Sequence, residues 1–451
     1  MPRRTLTLLA LLAVGLSSAC GSRTPSGETI TGTVLVAPPL VPGNFSVGIY
    51  SGGGLQTVQV NADATFRVTG VTVPYDAMVY STDYGVALGC CVALGGGVAN
   101  VFQGLTVLHP ALTVPGQSPV PGQSFGLQPR SATVQGAVTG LTGTGIENAS
   151  LGFSKPLGGS SDILFLEAPG QTFGQPIGWS GPATVTGDLY FFVSHIATYA
   201  SPLCQCPECF YSVYDGFAVL PGINLTDGDT VTGLDAGLQQ VASTRLVTAT
   251  LAYPAGFVPT LFVTSLVVHP GPGSGFQLLD VASQTCPEQP VPLTGFVVGA
   301  PELPGIPLQL QTFGNGADSS EYMVTQTVSS LDAGIRVSFP APAQLTAPAE
   351  QATLRQASAA FQWTSVTGAA IYLVNVVGSR GVLTIYTTQS SAMLPDTSQL
   401  ALPALGTASW RVTSFDTPSS VDDLVGDAGL GVLYLGDSVQ TKSPINDVVL
   451  E

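Results

Sequence analysis

Hydrophobic and polar residues alternate along this chain in blocks that resemble one another. Three alternating stretches open such blocks: TITGTVLV at 29–36, ATVQGAVT at 132–139 and RLVTATLA at 245–252. A period of two places one face of a strand in a core and the other in water, so each stretch predicts a half-buried β-strand. Their spacing of roughly a hundred residues predicts three repeated units, each long enough to bury its own core.

Later segments of the blocks support this repeat. A second apolar strand is predicted in each block, by YDAMVYS at 75–81, DLYFFVS at 188–194 and PLQLQTF at 307–313. The second and third blocks also close alike, with TVTGLDAGLQQVAS at 230–243 and TVSSLDAGIRVSFP at 327–340. Both segments contain Leu-Asp-Ala-Gly, a match that is too long to be a chance coincidence. The two closing segments are therefore predicted to form equivalent strands.

The first block carries a recognisable order of features. TGTV at 31–34 opens it, and NADATFRVTGVTVPYDAMVYS at 61–81 places Asp63 in a turn just before the strand that holds Phe66. In these features it resembles the carboxypeptidase-regulatory-like, or transthyretin-like, domain. The resemblance implies a small seven-stranded sandwich, usually a structural or binding module and not a catalyst. The second and third blocks lack a clear turn followed by Phe.

A different unit is predicted at the C-terminal end. PAPAQLTAPAEQ at 340–351 is rich in Pro and Ala and predicts a linker. After it, Trp363 lies on an alternating strand, Gly-Ala-x-x-Tyr ends at Tyr372, and Leu400 precedes a Trp-Arg-Val strand that begins at Trp410. This order is similar to that of a fibronectin type III domain over about residues 345–440, with Trp410 at the family's usual Tyr position. It implies a further β-sandwich.

Together these patterns predict an all-β chain of about four tandem antiparallel β-sandwiches. The composition agrees, because 54 Gly and 35 Pro suit short strands and turns, and 9% charged residues is too few for long surface helices. The predicted segments are a signal peptide at 1–19, a tether at 20–28, a transthyretin-like sandwich at 29–130, a second repeat at 131–244, a third at 245–340 and a fibronectin-like sandwich at 341–451.

The N-terminus predicts export. Arg3 and Arg4 precede an apolar run at 6–16, which is followed by small residues, as in a secretory signal, and the run is too short to span a bilayer. The small residues before Cys20 resemble a bacterial lipoprotein signal, although Ser17 occupies the position where that signal usually has Leu. The resemblance implies that Cys20 is lipidated and anchors the protein to the outer membrane. An ordinary cleaved signal is the alternative.

Charge and motifs exclude several classes of activity. The net charge of −16 would repel nucleic acid. A Gly-x-Ser-x-Gly match surrounds Ser124, but nearby prolines disfavour the strand and helix that a hydrolase needs on either side. His109, His195 and His269 form no zinc-protease motif, and the acidic stretches at 227–235 and 416–427 do not match a calcium loop. No enzyme and no cofactor are predicted.

Trp179 is the residue that most suggests a ligand platform. It lies among turn-forming residues in PIGWSG, where an exposed ring could stack on a sugar. Packing within a loop or a core is the alternative interpretation.

The cysteines are the remaining candidates for chemistry. With Cys20 assigned to lipid, six are left: Cys90, Cys91, Cys204, Cys206, Cys209 and Cys286. An even number in an exported chain predicts three disulfides. If no bond joins adjacent cysteines or members of the cluster at 204–209, two bonds join the first and second units and one joins the second and third. The alternatives are a metal site at Cys204, Cys206 and Cys209, or redox chemistry.

The sequence therefore predicts a non-catalytic, lipid-anchored cell-surface protein with a structural or ligand-binding role. Its expected partners are the membrane, through the lipid, and an extracellular protein or glycan. A carbohydrate- or metal-binding accessory module is the alternative, resting on Trp179 or on the cysteine cluster.

Overall fold

The computed structural model describes residues 27–451 except 37–39, 83–95, 116–128, 141–146, 154–161, 167–171, 181–182, 200–208, 242–243, 258, 269–276, 284–294, 304–306, 330–333, 395, 397, 401, 427–428 and 435. In the described part, the regular elements are β-strands and short 3-10 helices, which confirms the predicted all-β fold. None of these helices is long and apolar enough to cross a membrane.

The first unit is a seven-stranded sandwich. A three-stranded sheet of order β4-β1-β7 faces strands of order β3-β2-β5-β6, and β7 runs parallel to β1. Alternate residues of β1 are buried, as its pattern predicts. The strands are β1 Glu28–Leu35, β2 Ser46–Ser51, β3 Gly54–Gln59, β4 Thr65–Val71, β5 Tyr75–Ser81, β6 Gly97–Leu105 and β7 Ala111–Thr113, with a 3-10 helix at Pro42–Asn44.

The second unit repeats this strand order. Its sheets run β11-β8-β14 and β10-β9-β12-β13-β16, with β14 and β15 parallel to β8. Both closing segments predicted from the Leu-Asp-Ala-Gly similarity contain the parallel strand of their unit. The strands are β8 Pro129–Thr139, β9 Glu147–Phe153, β10 Asp162–Leu166, β11 Thr172–Ser180, β12 Thr184–Tyr199, β13 Cys209–Thr226, β14 Thr230–Val231, β15 Ala236–Gly237 and β16 Gln239–Gln240.

The third unit has the same arrangement again. The sheet β20-β17-β23 faces strands of order β19-β18-β21-β22, and β23 is parallel to β17. The strands are β17 Thr244–Ala252, β18 Pro259–Val268, β19 Gln277–Ser283, β20 Gly295–Pro301, β21 Leu308–Gly316, β22 Glu321–Val328 and β23 Ile335–Ser338.

One buried pairing marks all three units. Phe66 lies opposite Gly32, Phe173 opposite Gly136, and Phe296 opposite Ala249. Each ring belongs to the core of its unit. The second and third units therefore contain an equivalent Phe without the turn-plus-Phe signal in their sequences, because strand register, and not a local turn signal, identifies the residue.

The fourth unit packs the sheet β24-β26-β29 against strands that include β27, β28 and β30. Trp363 and Trp410 are buried, and Trp410 meets Phe361 edge-on. The predicted linker at 340–351 is only partly a linker, since it contains β24. The strands are β24 Leu345–Ala347, β25 Ala352–Leu354, β26 Ala360–Trp363, β27 Ile371–Gly378, β28 Gly381–Thr387, β29 Ser391–Met393, β30 Gly406–Phe415, β31 Ser438–Lys442 and β32 Asn446–Leu450. The 3-10 helices are Gln356–Ser358, Ser398–Leu400, Val421–Val425 and Gly429–Tyr434.

A single 14-stranded sheet crosses three of the units. Its main path runs β19-β18-β21-β22-β31-β30-β27-β28-β6-β5-β2-β3. Antiparallel pairing of β22 with β31 joins the third unit to the fourth, and parallel pairing of β28 with β6 joins the fourth to the first. The first and fourth units are therefore neighbours in space, although two other units lie between them in sequence.

The first unit is also completed by residues of the fourth. Val421, Leu424 and Val425, which follow β30, lie fully buried in the core of the first unit. Nearby, the carboxylate of Asp422 accepts hydrogen bonds from the backbone N–H of Thr106, at 2.8 Å, and from its hydroxyl. The segment between β30 and β31 is therefore part of two units at once.

Candidate functional site

A cleft of about 390 Å³ opens between the third and fourth units. One wall is the turn at 254–257, which joins β17 to β18, with Asp318 beside it. The other wall consists of residues 341–345 and the connection between β31 and β32. Clefts between domains are common positions for ligand sites, because two surfaces can contact one ligand there.

An aromatic cluster supports the wall from the third unit. The half-buried ring of Phe257 lines the cleft and packs edge-on against Tyr322, with ring centroids 4.4 Å apart. Behind it, Tyr253 stacks on Phe339 at 5.3 Å with nearly parallel planes. These contacts fix the orientation of Phe257, so its accessible surface is preformed for a flat apolar ligand face.

Polar groups complete the cleft. One oxygen of Asp318 accepts hydrogen bonds from the backbone N–H of Ser320, at 3.0 Å, and from its hydroxyl, at 2.5 Å. Burial raises the pKa of Tyr322 to about 12; the Ser320 hydroxyl acts in the lowering direction and the Asp318 charge in the raising one. The phenol of Tyr322 therefore stays protonated at neutral pH. Asn446 and Gln344 add amide groups from the fourth unit.

Strand pairing and charge fix the two walls against each other. Glu321 begins β22, and its carboxylate accepts hydrogen bonds from Arg411 at 2.7 Å and from Lys442 at 2.5 Å, both in the fourth unit. An oriented ring, a carboxylate and amides are groups that stack on and hydrogen-bond a polyhydroxylated ligand. Sequence analysis missed this site; a Phe within the turn-forming stretch YPAGFVP at 253–259 was its one local signal.

Trp179 is not in a turn. It lies in β11, an edge strand, opposite Arg130 of β8. The edge position also accommodates Pro176, which has no N–H to donate to a ladder. The side chain of Trp179 lies outside the described residues, so stacking on a sugar stays a prediction.

The cysteine cluster joins the two longest strands of the second unit. Cys209 begins β13 and is paired with Tyr199, the last residue of β12, so the segment at 200–208 connects these two ends. The side chain of Cys209 lies outside the described residues. So do the other cysteines, namely Cys20, Cys90, Cys91, Cys204, Cys206 and Cys286. Their lipidation, disulfide pairing and metal binding remain predictions.

The two described histidines have local partners. The imidazole Nδ1 of His195 is 2.8 Å from the carboxylate of Asp215, which projects from an irregularity in the ladder between β12 and β13. The Nδ1 of His109 lies 2.8 Å from the hydroxyl of Thr31. His269 and Ser124 fall outside the described residues.

Several acidic loop residues form hydrogen bonds or ion pairs with the protein itself. Asp227 accepts from the N–H of Ser131 and forms an ion pair with Arg130, and Asp235 accepts from the N–H of Ala137. Within the described part of the chain, no group of three or more His, Cys, Asp or Glu side chains is placed to hold a metal ion. These carboxylates stabilise loops.

No family model and no curated protein matches this chain. Among solved structures it is similar to the Ca²⁺-stabilized adhesin with which an Antarctic bacterium binds ice, at 10% identity over 94% of this chain and 99% of that one, with a TM-score of 0.17. The streptococcal ancillary pilin is 10% identical over 69% and 98%, with a TM-score of 0.17. A DUF3823 family protein from Bacteroides uniformis is 11% identical over 45% and 100%, with a TM-score of 0.11. TM-scores of this size do not indicate a shared overall fold.

Proposed function

We propose that this chain is a non-catalytic, lipid-anchored protein of the bacterial cell surface that presents a ligand-binding cleft. The sheet that runs without interruption through the third, fourth and first units is the observation that carries the proposal. It holds the walls of the cleft together and sets the first unit, which follows the tether, against the last. Such a body suits a protein that holds a ligand away from a membrane.

A carbohydrate-binding role is the second candidate, and the cleft favours it. Phe257 offers a ring face, while Asp318 and Asn446 offer hydrogen-bonding groups at distances set by the two walls. A glycan array tests this with the wild-type chain, Phe257→Ala and Asp318→Asn. The expected result is binding that both variants weaken, with Asp229→Asn, an exposed acid of the second unit, as the matched control. Glycan binding that survives both changes would place the ligand elsewhere.

The anchor is tested separately by mass spectrometry of the mature N-terminus. The expected species begins at Cys20 and carries acyl chains, since two or more chains are needed for stable membrane attachment. A Cys20→Ser variant should appear in the soluble fraction. An unmodified Cys20 in the wild-type protein would refute the lipid anchor without affecting the cleft.

A further inference from the structure

A shallow pocket of about 580 Å³ lies on the outer face of the sheet β4-β1-β7 in the first unit. Its polar side chains are Thr31, Thr33, Asn61, Thr65, Arg67 and His109. Thr31 and Arg67 are direct cross-strand partners, so their side chains emerge side by side on the solvent face. The pocket therefore combines two basic groups with hydroxyls and an amide.

Hydrogen bonds orient the imidazole of His109. Its Nδ1 is 3.0 Å from the carbonyl oxygen of Thr31 and 2.8 Å from the hydroxyl of the same residue. Nδ1 is therefore engaged with Thr31. The Nε2 atom is then the nitrogen that remains for a ligand.

Among the described basic residues, Arg67, Arg336, Arg355 and Arg380 form no ion pair, and of these four Arg67 lines the pocket. Arg130, Arg245, Arg411 and Lys442 each form an ion pair. Arg67 is exposed and has no ion-pair partner among the described residues. None of the residues lining the pocket is Asp or Glu. The carboxylate closest in sequence, Asp63, accepts hydrogen bonds from the N–H and hydroxyl of Thr65.

The second unit provides a comparison within the same chain. A pocket of about 590 Å³ occupies the equivalent face, around Gly136 and Phe173 in place of Gly32 and Phe66. That pocket contains Asp235 and no basic residue. The shape of the pocket therefore belongs to the repeated fold, whereas the positive charge belongs to the first unit. On a chain with a net charge of −16, a cationic pocket without an internal partner is suited to an external anion.

We propose that the pocket around Arg67 and His109 binds an acidic sugar. The guanidinium would pair with the carboxylate, because Arg matches carboxylate geometry with two parallel hydrogen bonds. The hydroxyls of Thr31, Thr33 and Thr65 and the amide of Asn61 would hydrogen-bond the sugar hydroxyls. The remaining surface repels polyanions at long range, so recognition depends on these local contacts.

Calorimetric titration of the purified full chain tests the proposal. The probes are a short oligogalacturonate, its neutral galactose counterpart and inorganic phosphate. The acidic oligosaccharide should bind, and Arg67→Gln should weaken it roughly tenfold or more, the effect of losing a charge-assisted hydrogen bond. His109→Ala should weaken it several-fold. Both residues are exposed, so neither change should unfold the protein.

Arg336→Gln is the matched control, since it removes one exposed positive charge from the equivalent sheet of the third unit. It should leave binding unchanged. Equal losses in Arg67→Gln and Arg336→Gln would reduce the effect to overall charge and overturn the proposal. Equal binding of the neutral sugar, or binding of phosphate as tight as that of the oligogalacturonate, would overturn it as well.

Discussion

Glu321 forms two charged contacts between the third and fourth units. Its carboxylate pairs with Arg411 and Lys442, and all three side chains are only about a quarter exposed. Burial acts to raise the pKa of Glu321, but the hydrogen bonds and charges of Lys442 and Arg411 outweigh it and hold that pKa below its ordinary value. Ionised Glu321 therefore stabilises the folded state.

Glu321→Gln should reduce the free energy of unfolding by about 1–3 kcal/mol at neutral pH. A lowered folded-state pKa gives stability that is present above the unfolded pKa of about 4.3 and lost as the pH falls through the folded one. The difference between wild type and variant should therefore shrink in strong acid. Urea unfolding of the wild type and the variant, at neutral pH and in strong acid, measures this difference in stability. Glu302→Gln, which removes an exposed ion pair with Arg245, should change stability by at most about 1 kcal/mol.

At this scale, the sequence indicated little of the interface. Lys442 is one of only two lysines, which draws notice, but its partner depends on the register between β22 and β31. Glu321 and Lys442 are 121 residues apart. Alternation of polar and apolar residues along a strand can be read directly from the sequence. The pairing between strands that are distant in sequence cannot.

At the scale of the element, the opening strand of the first unit depends on a glycine. A Cβ added to Gly32 would lie 2.4 Å from the carbonyl oxygen of Pro110 and 2.5 Å from the ring of Phe66. Because this carbonyl is part of the backbone, it cannot rotate away from the added Cβ as a flexible side chain could. Gly32→Ala should therefore destabilise the first unit by about 1–3 kcal/mol, measured as the shift in its thermal or urea transition.

The third unit supplies the opposite test of the same position. Ala249 fits opposite Phe296 and is fully buried. Ala249→Gly should cost about 0.5–1 kcal/mol, because glycine in a strand interior has more conformational freedom to lose. A gain in stability from Gly32→Ala would show that the two positions are not constrained as their contacts indicate.

The cysteine cluster lies in the sequence between β12 and β13, and Cys209 is the first residue of β13. β13 also contacts β19, and Cys286 follows three residues after the end of β19. A non-reduced peptide map should therefore contain a bond between Cys286 and one of Cys204, Cys206 and Cys209. A map that pairs Cys206 with Cys209 would contradict the predicted stapling of units.

At the scale of the whole molecule, the first and fourth units should unfold together. Leu424 is completely buried, and although it belongs to the fourth unit it lies in the core of the first. Leu424→Ala should cost about 2–5 kcal/mol and increase hydrogen exchange in β2 and β5 as well as in its own segment.

Leu189→Ala is the control for this coupling, because Leu189 is equally buried in the core of the second unit. It should raise exchange in the second unit and leave the first unchanged. If Leu424→Ala affected exchange only between β30 and β31, the first unit would be independent of the fourth.

Sequence predicted four sandwiches in series but not this arrangement. The segment after β30 drew attention through its acids, while its apolar residues, Val421, Leu424 and Val425, have the spacing of one buried helical face. That spacing predicts that the segment is packed against the protein, but it does not predict which unit the segment contacts. The partner follows from contacts between residues 316 apart, such as Thr106 and Asp422.

This long-range closure has a consequence for biosynthesis. A chain synthesised from its N-terminus delivers β1 to β7 first, yet the apolar side chains that finish their core come near the end of translation. The first unit must therefore wait, partly open, while the intervening units emerge, and contacts of such high sequence separation form slowly. A ribosome that stops before Val421 would release a protein whose earliest-made unit is the one left incomplete.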